Sequence, residues 1–160
     1  MKKILLVFLL ATSSLFGQTA ENTCELVSKI NTLLQQEHFK PKKVDDSLSV
    51  YVFDNFMDEL DFNRNIFTKK EYLKLRKHRL KLDDYILKNN CSFMTEFISV
   101  YRMALIRKKN VLEKIQNDPF DYTKNDSIRF SKTNFPFDLV AKNLEYVWKK
   151  RIKYSILEDI

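Results

Sequence analysis

The residues able to do chemistry are scattered along this chain. Carboxylates sit side by side at Asp45/Asp46, Asp58/Glu59 and Asp83/Asp84. General acid–base work needs two carboxyls converging on one substrate, and neighbouring residues of a helix point apart. These pairs therefore read as helix caps or surface charges. His38 and His78 are far apart in sequence, as are Cys24 and Cys91, and no two of the four stand three or four positions from each other. A zinc site needs about three or four such ligands at short spacing, so no metal or cofactor is expected. His78 reads as a polar-face residue of a basic helix. Nothing marks either cysteine as an activated thiolate beyond its place ahead of a helical stretch. No serine has a lysine, histidine or aspartate partner assignable from spacing, so no catalytic residue is expected.

The elements that must carry these residues read as helices throughout. Residues 24–37 place Leu26, Val27, Ile30, Leu33 and Leu34 on one face, with Asn22 or Thr23 as cap. After Pro41, the run Asp45-Asp46-Ser47 offers an N-cap for a second helix whose inward face is Leu48, Tyr51, Val52, Phe56 and Leu60. Thr68 and Glu71 have the spacing of a capping box, and Phe67 and Tyr72 that of a hydrophobic staple. They predict a helix from about Lys69 to Leu87, with Tyr72, Leu75, Leu82 and Ile86 inward. Its outer face is basic, from Lys69 through Lys74 and Lys77 to Lys81, and a solvated helix face is the simplest reading of it. Asn89-Asn90 ends that helix and Ser92 starts the longest periodic run, residues 93–116, with Phe93, Phe97, Tyr101, Ala104, Leu105, Lys108, Leu112 and Ile115 in line. Asp118-Pro119 stops it. An extended, aromatic-studded connection follows over about 118–137, and Asp138 caps a last helix carrying Ala141, Leu144, Trp148 and Ile152. The fold class is thus all-α, about five amphipathic helices in an irregular bundle with one long extended connection. The last helix runs to Ile160 with no glycine or proline stop, so a further element or domain is expected beyond it.

Bulk composition narrows the function classes. Met1, Lys2 and Lys3 precede the apolar run ILLVFLLATSSLF, too short to cross a bilayer but of signal-peptide length. Residues 1–17 are read as a signal peptide, with Gly17 preferred over Ala20 as the cleavage position, leaving a domain over 18–160 with no transmembrane segment. The formal charge of +7 falls to +5 without Lys2 and Lys3. Basic residues alternate with acidic and apolar ones, and no aromatic-basic module is present, so no nucleic-acid partner is expected. Gly17 is the sole glycine. Phosphate loops, dinucleotide fingerprints and nucleophile elbows all need glycine where backbone meets ligand, and are excluded. In an oxidising compartment Cys24 and Cys91 are either disulfide-bonded or two buried thiols; Glu21-Asn22-Thr23 lacks the small residues that precede a lipidated cysteine.

Three segments in order carry a resemblance: LDFNRNIFTKKEYLKL, FMTEFISVYRMALIRKKNVLEKI and PFDYTKNDSIRFSKTNFPFDLVAKNLEYVWKKRIKY. Together they resemble the N-terminal helical domain of the tail-specific (C-terminal processing) serine peptidases over residues 45–158. The family's L-D-x-x-R-x-x-F stretch is matched by Leu60, Asp61, Arg64 and Phe67. Its aspartate-aromatic-threonine element is matched by Asp121, Tyr122 and Thr123, and its tryptophan followed by basic residues by Trp148, Lys149, Lys150 and Arg151. The resemblance implies a periplasmic endopeptidase acting on apolar C-terminal tails of protein substrates. It also implies downstream PDZ and serine-lysine catalytic domains, and a helical domain that frames substrate entry and docks an adaptor lipoprotein. No segment of this chain matches the PDZ domain or the dyad, so it would be an accessory part, inactive alone. A self-standing exported helical binding module is the alternative.

Overall fold

The computed structural model describes residues 20–118, 120–128 and 136–159. The signal-peptide assignment at 1–17 lies outside the described residues, as do residues 129–135 of the long connection. Within the described residues the chain is all helix and irregular backbone: α1 (Ala20–Glu37), α2 (Asp46–Leu60), α3 (Lys69–Arg76), α4 (Leu82–Leu87), α5 (Ser92–Gln116) and α6 (Ala141–Glu158). The long helix α5 is the spine, packing against α1, α3, α4 and α6, while α4 also touches α1 and α2.

The core forms where α2, α3, α4 and the first half of α5 meet. Phe53, Met57, Phe67, Leu75, Phe97 and Ala104 are its buried centre. Aromatic rings dominate it: Phe56 meets Phe97 edge-on at 4.9 Å, and Phe97 stacks on Tyr101 at 5.5 Å. Such pairs add to the burial energy of large apolar side chains.

Several sequence expectations are corrected. The expected all-α class holds, and among the described residues the helix expected over 69–87 is broken in two, making six helices. It stops at Arg76, and residues 77–81 form tight turns, with His78 N–H on the Leu75 carbonyl and Lys81 N–H on the His78 carbonyl. The break turns His78 inward rather than onto a polar face: it is buried, 2.8 Å from the Tyr85 hydroxyl and bonded to Glu96. In α2 the buried line is Ser49, Phe53 and Met57, while Tyr51 and Val52 of the expected face are exposed. The helix is apolar on two sides, and the ring of Phe53, between Tyr72 and Phe93, fixes which one turns in.

Helix α1 starts at Ala20, so the expected caps Asn22 and Thr23 lie inside it. Its apolar face, Leu26 to Leu34, stays largely exposed, because among the described helices α1 packs mainly against α4 and α5. Asp138 does not cap the last helix, which begins at Ala141 with Val140 as N-cap. The preceding backbone is held elsewhere, since the Leu139 carbonyl accepts from the Lys69 N–H at the start of α3. Two expected caps do form: Asp45 accepts from the Ser47 and Leu48 N–H groups, and Thr68 and Glu71 close a reciprocal capping box.

Candidate functional site

Polar side chains gather at the turn between α2 and α3. Asp61 is the C-cap of α2 and is buried. Its Oδ1 accepts the Asn65 N–H at 2.8 Å, and its Oδ2 accepts the Ile66 and Phe67 N–H groups at 3.0 Å each. One carboxylate thus ties three successive amides into the turn that delivers Thr68 to its cap position. Burial pushes the Asp61 carboxyl up, and the backbone N–H groups with the Arg64 guanidinium push back. Burial likewise pushes the Arg151 guanidinium down against the pull of the Asp61 charge.

Arg64 closes the same turn. Its guanidinium donates to the Asp61 carbonyl at 2.7 Å, pairs with Asp58 and lies 4.2 Å over the Phe137 ring. Phe137 stacks in turn on Tyr72 at 4.2 Å. The two carbonyls that follow are taken up by distant helices. Trp148 of α6 donates Nε1–H to the Asn65 carbonyl at 2.8 Å. Arg107 of α5 donates to the Ile66 carbonyl at 2.7 Å and grips both oxygens of Glu71 at 2.6 and 2.8 Å. Burial raises Glu71, but Arg107 and Thr68 outweigh it and hold its carboxyl below the usual range.

The structure therefore brings Leu60, Asp61, Arg64, Phe67 and Trp148 together. Phe67 is buried 6.0 Å from Tyr101, and Leu60 packs against the core. Asp121, Tyr122 and Thr123 are not part of this cluster. They form a surface turn in which Asp121 accepts from the Thr123 N–H and hydroxyl, which hold its carboxyl down at about 2. That turn meets α6 further along, where Lys153 bonds the Lys124 carbonyl at 3.1 Å and Asp126 at 2.8 Å. The sulfurs of Cys24 and Cys91 are 2.15 Å apart, a disulfide joining α1 to the start of α5.

Each carboxylate pair has a structural task at one or both members. Asp45 caps α2, Asp58 pairs with Arg64, Asp83 takes the Ser49 hydroxyl at 2.7 Å, and Asp84 pairs with Lys88. Sequence reasoning missed Arg107, Asn65 and the buried His78–Glu96 pair. Arg107 follows the buried Ala104 by one helical step, the same-face spacing that could have found it. Asn65 takes part through its carbonyl, which no side-chain pattern reports. Among the described residues no group of His, Cys, Asp and Glu could hold a metal ion. Both oxygens of Asp61 are engaged by backbone N–H groups of the turn itself.

Residues 30–160 of the chain match the family model of the tail-specific protease N-terminal domain. The chain belongs to that family. It is similar to the tail-specific protease of Haemophilus influenzae, with 26% identity over 131 residues. The matched stretch covers 81% of this chain and 19% of that relative, so the chain spans about a fifth of the relative's length.

Proposed function

We propose that this chain is the non-catalytic helical domain of an exported tail-specific serine endopeptidase, framing the approach of protein substrates or of an adaptor lipoprotein. One observation carries the reading. Inside a domain of this family, the motif residues Asp61, Arg64 and Trp148 each bond the fold's own backbone. The catalytic serine and lysine would lie in a further domain. Export to the periplasm is supported by the basic start and apolar run of residues 1–17 and by the disulfide, which suits an oxidising compartment. Among the described residues no helix is long and apolar enough to cross a membrane.

The test is to incubate the purified chain with peptides ending in apolar residues. The peptides are expected to remain intact by mass spectrometry, and turnover that survives further purification of the chain overturns the reading. The exposed apolar face of α1 favours a second reading, a self-standing exported binding module without proteolysis. The reading frame beyond Ile160 separates the two: PDZ and serine-lysine domains support the first, an immediate stop the second.

A further inference from the structure

We propose that the Cys24–Cys91 disulfide is a redox-controlled clamp on α1, and that its reduction releases this helix and opens the apolar cleft beneath it. Helix α1 has no buried residue. The main core cluster, with its partly buried shell, draws on α2 to α5 and on Phe137 and contains no side chain of α1. The disulfide sits near the helix start, joining Cα atoms 5.6 Å apart, and both cysteines are half-buried, within reach of a thiol. The Ser28 hydroxyl adds a hydrogen bond of 3.0 Å to the Ile86 carbonyl. Near the other end of the helix, Gln35 Nε2 donates to the Lys42 carbonyl at 3.0 Å in the connection to α2, while Lys29 with Glu25 and Thr32 with the Ser28 carbonyl pair within α1.

Beneath the same edge lies an apolar cleft of about 180 Å³, lined by Val27 and Cys24 on the α1 side and by Val52, Phe56, Ile86 and Met94 on the other. Apolar cavities of this size remain dry and admit small apolar groups. With α1 in place, Val27 covers one wall. With α1 gone, that wall is lost and the opposite residues form an open apolar surface. A lone helix of this length is marginal in water, so release is followed by fraying.

The chemistry needs an external dithiol reductant. One of its thiolates attacks a sulfur of the Cys24–Cys91 bond, forming a mixed disulfide and expelling the other cysteine as thiolate, which takes up a proton. The reductant's second thiol then displaces the remaining cysteine. The dithiol becomes a disulfide, and the two cysteines gain two electrons and two protons in total.

Hydrogen exchange by mass spectrometry on the intact chain, oxidised and then reduced with dithiothreitol, tests the clamp. On reduction the amides of 24–37 are expected to exchange about a hundredfold faster, while those of α2 and α5 keep their protection within about threefold. Binding of an apolar fluorescent dye rises in parallel, and reoxidation reverses both changes. The Cys24→Ser/Cys91→Ser variant shows the released pattern without reductant. Unchanged protection of α1 in either the reduced protein or the variant overturns the clamp. So does loss of protection across α2 and α5 together with α1, which would make the disulfide a staple of the whole fold.

Discussion

Arg64 holds φ at 51°, in the left-handed region that a side chain with a Cβ enters at a cost of about 1 kcal/mol or more. Glycine would relieve that cost but would remove the guanidinium that bonds the Asp61 carbonyl and covers Phe137. The residue is kept for what its far end does. Arg107 makes the same point, since its planar fork reaches Glu71 and the Ile66 carbonyl together. Arg107→Lys is expected to cost about 1–2 kcal/mol in urea unfolding, because one ammonium cannot hold both partners in that geometry. At Glu96, burial opposes ionisation, yet hydrogen bonds from Lys77 and His78 hold the carboxyl down at about 2. A depressed folded value stabilises the fold above the ordinary 4.5 and is lost as pH falls through about 2. Asp61, raised by burial, acts with the opposite sign, its stabilising effect fading as pH rises through its folded value. The Glu96 contribution is therefore read by difference. Unfolding measured from about pH 6 down to about pH 2 should show Glu96→Gln losing less stability than the parent, by on the order of 2 kcal/mol.

At the scale of elements, the Thr68–Glu71 capping box is local chemistry with a measurable consequence. Glu71 N–H donates to Thr68 Oγ1 at 3.2 Å, and Thr68 N–H donates back to Glu71 at 2.8 Å. Thr68→Ala is expected to destabilise the protein by about 1–2 kcal/mol by thermal or urea unfolding, and an effect below about 0.3 kcal/mol would show that tertiary packing alone starts α3. That cap was legible in the sequence because its partners lie three residues apart. The Asp45 cap and most of the buried stripe of α5 were legible for the same reason, local periodicity. The break after Arg76 was not, because Leu75, Leu82 and Ile86 keep helical spacing across it. What bends the chain there accompanies the burial of His78 against Tyr85 and Glu96, and Glu96 stands on another helix. The buried face of α2 was misread because both its sides are apolar, and only the tertiary partners of Phe53 choose between them. Of the corner, the motif residues could be named from sequence, but their joining by the carbonyls of Asn65 and Ile66 is a backbone matter that spacing does not encode.

On the scale of the whole molecule, the turn at 61–67 is where separate parts of the chain meet. It links the end of α2 to the start of α3, reaches Arg107 of α5 and Trp148 of α6, and holds Phe137 through Arg64. Leu60, Asp61, Arg64, Phe67 and Trp148 all lie at this junction, whereas Asp121, Tyr122 and Thr123 form a separate surface turn. If Asp61 serves the fold rather than a reaction, Asp61→Ala should destabilise the whole domain. The substitution strands three amides, those of Asn65 and Phe67 buried and that of Ile66 half-buried, each worth about 1 kcal/mol or more when left unsatisfied in the interior. Urea unfolding of the variant, followed by Trp148 fluorescence and circular dichroism together, should show a loss of about 3 kcal/mol or more in one cooperative transition. A variant within about 0.5 kcal/mol of the parent would contradict the account and return Asp61 to the list of residues kept for a partner or a reaction.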